Sequence, residues 1–123
     1  MILVDSNILI YAAKGVDPAL ARFLVVEEPV FSAVSYVETL GYHAIMPAEK
    51  RFIMKFFRGS QLVPIKTKVL REAVRLRQIR KMKLGDALIA GTPLVHGFRL
   101  ATRNVGDFAW IPGLEVVDPL SIN

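Results

Sequence analysis

Five short apolar runs punctuate the chain. Ile2-Leu3-Val4 has no polar alternation, the pattern of a strand buried on both faces. Val30-Phe31, Leu62 to Ile65, Leu100-Ala101-Thr102 and Glu115-Val116-Val117 read as four further strands. Between them, apolar positions recur at helical spacing. Ile8 to Lys14 predicts a helix or turn that Gly15 ends. Asp17-Pro18 supplies a cap and first residue for the next helix, with Leu20, Phe23 and Leu24 on one face, and Pro29 stops it. A third helix begins between Ser32 and Ser35 and carries Glu38; Pro47 divides it from a fourth, Ala48 to Phe57. A fifth starts at about Thr67, turns Val69, Leu70, Ala73 and Leu76 inward, and ends shortly before Arg80. The sixth, opened by Gly85-Asp86 and running from Ala87 to about Val95, is apolar almost all round, as a helix buried between layers would be. Pro93 inside it is a local conflict, because proline removes a backbone bond and crowds the preceding turn. With no repeat or linker in sight, the alternation predicts one α/β domain over residues 1–123 with a parallel sheet.

Four acids share an address in such a sheet. Asp5 follows the first strand, Glu38 lies early in a helix after the second, Asp86 opens a helix, and Asp107 follows the fourth strand. Positions beyond the carboxyl ends of parallel strands line the edge where ligands bind. Each acid has a structural alternative. Asp5 and Asp107 could punctuate turns, Asp86 could cap a helix, and Ser35 with Glu38 matches a capping box. Converging, however, four carboxylates would repel until one took up a proton, and a divalent cation resolves that conflict. Mg²⁺ and Mn²⁺ accept hard oxygen ligands and keep several waters. The absence of cysteine, with only His43 and His96, argues against zinc.

Composition sharpens the picture in two ways. A hydrophobic fraction of 53% with 22% charged residues fits a globule rather than a disordered chain. The N-terminal apolar run lacks a basic lead and is broken at Asp5, and no apolar segment approaches membrane-spanning length, so a cytoplasmic protein without a membrane partner is expected. The net charge of +5 is also segregated: twelve Lys/Arg against one acid, Glu72, lie between Lys50 and Lys83. Such a surface suits a polyanion, with a solvated helix face as the alternative. Within it, Phe52, Ile53, Phe56 and Phe57 cluster on one short helix; ordinary core packing accounts for them, and, since they suggest more apolar surface than one small core needs, a partner surface is the alternative.

Met1 to Asn7, Ser32 to Glu38, Lys83-Leu84-Gly85-Asp86-Ala87-Leu88-Ile89-Ala90 and Thr102-Arg103-Asn104-Val105-Gly106-Asp107-Phe108 together resemble the PIN domain, in particular the VapC-type toxins of bacterial and archaeal toxin–antitoxin pairs. The resemblance covers essentially the whole chain, with the motifs in the family's order. It implies a three-layer α/β/α fold on a parallel five-stranded sheet, and a metal-dependent endoribonuclease. Asp5, Glu38, Asp86 and Asp107 would surround one or two Mg²⁺ or Mn²⁺ ions, with Ser6, Asn7, Thr102 and Asn104 as polar support. Implied partners are RNA, a second copy of the chain, and a cognate VapB-like antitoxin. RNA would meet Arg80, Lys81 and Lys83, and the antitoxin a groove walled by Phe52, Phe56 and Phe57. Two positions depart from the family: Gly85 stands where proline is common, and Pro93 where a small helix former is usual.

Two other classes compete. A receiver-type signalling domain has similar length and an acidic pocket. It would carry adjacent acids after the first strand and an acid ending the middle one, where this chain has a lone Asp5 and Pro64-Ile65-Lys66. A non-catalytic RNA-binding PIN domain would usually have lost some of the four acids.

Overall fold

The computed structural model describes residues 1–121. Its centre is β1 (Ile2–Val4), all three residues of which are buried. Next come α1 (Ser6–Lys14), α2 (Pro18–Glu27), β2 (Phe31–Ser32), α3 (Ala33–Leu40), α4 (Pro47–Gly59) and β3 (Leu62–Val63). They are followed by α5 (Thr67–Ile79), α6 (Leu84–His96), β4 (Arg99–Ala101), α7 (Val105–Phe108) and β5 (Val116–Val117). Every strand pairing is parallel. One ladder runs β1-β4-β5 and the other pairs β2 with β3; a single bridge from Leu3 to Val30 joins them. The spatial order is therefore β3-β2-β1-β4-β5.

Period-two alternation sorts the core into two layers. Ile2, Val4, Phe31 and Ala101 face one cluster, which α1, α2 and α4 complete with Ile8, Leu9, Leu20, Leu24, Ile53 and Phe57. Leu3, Val30, Val63 and Leu100 face the other, closed by Leu76 of α5, Ile89 and Ala90 of α6, and Phe108. The sheet is thus covered on both sides, as the unbroken apolar run of β1 requires.

Local signals explain most of the boundaries. Gly15 ends α1 in the left-handed conformation at φ 69°, and the Asp17 carboxylate caps α2 by accepting from the Ala19 amide at 2.8 Å. Helix α5 packs closely on α6: a Cβ on Gly91 would stand 3.1 Å from the Val69 carbonyl oxygen.

Two details, at Leu70 and Phe57, differ from expectation. Leu70 is 48% exposed, because the buried stripe of α5 is Val69, Ala73 and Leu76, and Leu70 lies a full helical step to its side. Phe57 is not part of an open groove; it is a core residue whose ring meets Phe31 edge-on at 5.3 Å, while Phe52 and Phe56 are half-buried against the same cluster. Helix α6 continues through Pro93 to His96. The Ile89 carbonyl, four residues before the proline, is the one deprived of a helical N–H, and the Thr92 hydroxyl bonds the Leu88 carbonyl at 2.9 Å just beside it. No helix among the described residues is long and apolar enough to cross a membrane.

Candidate functional site

The ladder register builds the floor of the site. Val4 lies opposite Ala101, so the next residues, Asp5 and Thr102, emerge side by side beyond the strand ends. Asp5 stands at the N-cap of α1, but its carboxylate makes no capping hydrogen bond. The Thr102 hydroxyl donates to Asp5 Oδ2 at 2.8 Å and accepts from the Asn104 amide at 3.0 Å. Both Asp5 and Thr102 are buried. Burial pushes the Asp5 carboxyl up to about 6, against the pull of the Thr102 hydroxyl, with the charges of Asp86 and Glu38 adding to the rise.

Glu38 reaches the same place from α3. Ser32 caps that helix, accepting from the Val34 amide at 3.1 Å, so Ser35 and Glu38 do not serve as its capping box. The Ser6 hydroxyl instead donates to Glu38 Oε1 at 2.7 Å, and the buried Ser35 hydroxyl lies 2.9 Å from Ser6 Oγ. A Cβ on Gly85 would stand 2.5 Å from Glu38 Oε2. The missing side chain at position 85 is therefore the space the carboxylate occupies.

Asp86 is the third residue of α6, whose N-cap position is Lys83, so it does not cap the helix. Burial raises its pKa, reinforced by Asp107 and Glu38 and opposed by Lys83. Asp86 therefore feels three neighbours: Asp5, Glu38 and Asp107. Asp107 itself sits exposed on the short helix α7.

The polar residues around the acids divide. Ser6 and Thr102 bond the acids directly. Asn104 contributes its backbone amide, and Asn7 carries a buried Oδ1 with no hydrogen-bond partner. A buried acceptor without a donor is uncommon and calls for an unseen partner.

The basic connector meets the acids on one side. Arg77, Arg80, Lys81, Met82, Lys83, Asp86, Gly106, Asp107 and Trp110 line a cavity of about 520 Å³. The Arg80 guanidinium stands over the Trp110 ring, 5.3 Å from its centroid, and Trp110 Nε1 donates to the Asp107 carbonyl at 3.0 Å. Trp110 joins the site without having been a candidate, Arg77 had counted only as one of the basic residues, and Ser35 only as a helix cap. Trp110 had a signal: it is the chain's one tryptophan, three residues after a candidate acid.

The carboxylate oxygens of these acids fit a hard divalent cation. Of the two histidines, His43 meets the Tyr42 ring edge-on and His96 stacks on Phe98. Among the described residues, no three His, Asp or Glu side chains are gathered closely enough to grip an ion by themselves. That is compatible with an ion held by one or two carboxylates and otherwise by water.

The PIN domain family matches residues 2–112. The chain belongs to this family. Ribonuclease VapC10 of Mycobacterium tuberculosis is 32% identical to it over 123 aligned residues, covering 94% of this chain and 91% of the relative. A solved toxin–antitoxin complex from Klebsiella pneumoniae contains a chain 33% identical to it, with a TM-score of 0.75 and 97% and 98% of the two chains covered. VapBC2 from Rickettsia felis, solved bound to a DNA fragment from its promoter, superposes at a TM-score of 0.81 with 19% identity, covering 96% and 98%; that likeness speaks for the fold alone. This PIN domain thus matches VapC-type members along nearly its whole length.

Proposed function

We propose that the chain is a metal-dependent endoribonuclease, the VapC-type toxin of a toxin–antitoxin pair acting in the cytoplasm. The observation that carries this reading is the meeting of acids beyond the ends of β1 and β4, where Thr102 holds the buried Asp5 and Ser6 holds Glu38, and where burial, with Asp86 and Glu38 adding repulsion, pushes the Asp5 carboxyl up. Folding brings these charges near one another with a partial offset from Lys83 at Asp86, and a divalent ion would balance the remainder. The names of the 32% and 33% identical relatives support the ribonuclease and toxin parts of the reading.

Asp5 and Asp86 would hold Mg²⁺ or Mn²⁺, with Glu38 and Asp107 reaching it directly or through water. Bound there, the ion would acidify a coordinated water and offset charge developing on the phosphate during in-line displacement. The protein's own groups perform the rest. Thr102 fixes the rotamer of Asp5, and Ser6 fixes Glu38 where it can orient the attacking water. Arg80, Lys81 and Lys83 draw the phosphate backbone to the edge of the acids, where the cavity places them. No side-chain nucleophile is needed.

The remaining partners are a VapB-like antitoxin and a second copy of the chain. Phe52 and Phe56, half-buried on α4, stay candidates for the antitoxin groove. One observation favours a second reading, a non-catalytic RNA-binding domain: the loose grouping of the acids. One assay tests both. Total cellular RNA is incubated with the protein, with and without Mn²⁺, and the new ends are mapped. We expect Mn²⁺-dependent cleavage that Asp5→Asn abolishes. RNA binding without cleavage would favour the second reading.

A further inference from the structure

Trp110 and Arg80 form a feature that acid chemistry leaves unused. The indole lines the same cavity as Asp86 and Asp107. Its only polar atom is already committed, because Nε1 donates to the Asp107 carbonyl at 3.0 Å. That bond ties the plane of the ring to the residue carrying one of the acids. Trp110 packs in part on the core cluster of Phe108 and Ile111; what the indole still offers a ligand is the rest of its π surface, and Arg80, an exposed side chain on a basic connector, stands over the ring at 5.3 Å.

We propose that Trp110 is a stacking platform for one unpaired nucleobase of the RNA, next to the phosphate held at the acids. The proposal rests on the ribonuclease reading for its choice of RNA. A base inside a duplex has both faces covered, so an indole recognises it only when it is splayed out of a loop, bulge or single strand. Stacking of a base on an aromatic ring is stronger than an exposed cation–π contact. An arriving base therefore displaces Arg80 at small cost. The released guanidinium remains beside Lys81 and Lys83, within the rim that would meet the flanking phosphate. Because Nε1 holds the ring at a fixed offset from Asp107, the stacked base sets which phosphodiester reaches the acids. Trp110 is in this sense a positioning residue that restricts cleavage to unpaired segments.

The chain has one tryptophan, so fluorescence excited selectively at the indole reports the surroundings of this ring. Asp5→Asn protein, which is expected not to cut, would be titrated with a ten-nucleotide single-stranded RNA, a duplex of the same sequence, and inorganic polyphosphate. Binding would be followed independently by anisotropy of labelled RNA and by competition. We expect saturable quenching by the single strand and little by the duplex or polyphosphate, even where these occupy the basic rim. In the otherwise unchanged chain, Trp110→Ala should raise KM and Kd for single-stranded RNA about tenfold. It should leave polyphosphate affinity nearly unaltered and spread cleavage over more positions of the strand, and Trp110→Phe should restore most of the lost affinity.

Single-strand binding without a fluorescence change would overturn the platform, as would an alanine variant that binds and cuts like its parent. If Trp110→Ala fails to fold, the fluorescence titration still decides. Quenching by RNA that the unmutated protein never cuts would uphold the platform while removing the nuclease. A chain that binds no RNA would overturn both.

Discussion

Asp5 and Asp118 occupy equivalent places and meet opposite fates. Each directly follows a strand of the same parallel ladder, Asp5 after β1 and Asp118 after β5. Burial pushes Asp118 up, but Arg103, 2.7 Å away, and the Leu120 amide at 3.0 Å outweigh it and hold the carboxyl below its usual range. At Asp5, burial and two like charges outweigh the Thr102 hydroxyl, and the pKa rises to about 6. The difference separates a carboxylate that folding satisfies from one that folding leaves in deficit. The second kind costs stability and persists at functional sites.

The largest expected contrast is in rate. Asp5→Asn should slow RNA cleavage in Mn²⁺ by at least about a hundredfold, roughly 3 kcal/mol of lost charge stabilisation. Asp118→Asn should leave the rate within about twofold. Equal losses in a side-by-side cleavage assay would erase the distinction.

The pH dependence of metal-free stability comes next. The pKa of Asp5 is 3.8 unperturbed and about 6 folded, so the folded state binds the proton more tightly. Its stabilising contribution is complete below about pH 4 and is lost as pH rises through 6, a difference of about 3 kcal/mol. Asp86 acts in the same direction. Asp118, held low, contributes the opposite way: its stabilisation is present near neutrality and disappears as pH falls through its folded pKa. Urea denaturation in chelator between pH 4 and 7 should therefore show a fall that Asp5→Asn flattens and Asp118→Asn does not.

Gly85→Ala tests the Glu38 side of the site. The new Cβ would displace the carboxylate from its place beside Ser6. Cleavage should drop about tenfold, some 1.4 kcal/mol, with a melting temperature within a few degrees of the parent's. Unchanged kinetics would show that Glu38 needs no fixed position. The smallest effect is expected from Arg103→Ala. Its ion pair with Asp118 is partly solvent-exposed and worth roughly 0.5 kcal/mol. A loss of several kcal/mol in denaturant titration would mean that the satisfied acid matters more to the fold than its geometry suggests.

Much of this arrangement is legible in the residue pattern, because period-two and helical spacing reflect burial directly. The strands around Leu3, Val30, Leu62, Leu100 and Val116 and the caps at Gly15 and Asp17 are local events with local signals. Leu70 and Phe57 are different. Whether a helix flank or an aromatic is covered depends on which neighbour packs there, and spacing along one helix does not contain that. Pro93 stays helical because the buried α6 is held by its packing on α5 and the sheet, against a local propensity. In the site, the positions after the strands mark the acids, and Trp110 is only three residues from Asp107, but Gly85 as the seat of Glu38 is a contact made only in three dimensions.

Thermal melting with chelator and with Mn²⁺ tests the metal site most directly, using the parent and Asp86→Asn at neutral pH. Asp86 feels all three other acids and does not cap its helix. Removing its charge should therefore raise the melting temperature in chelator by relieving repulsion. It should also shrink the gain from Mn²⁺, which for the parent is about 2.7 kcal/mol at a hundredfold excess over its Kd. A variant that melts no higher in chelator, and gains as much from Mn²⁺ as its parent, would contradict a metal site built on these acids.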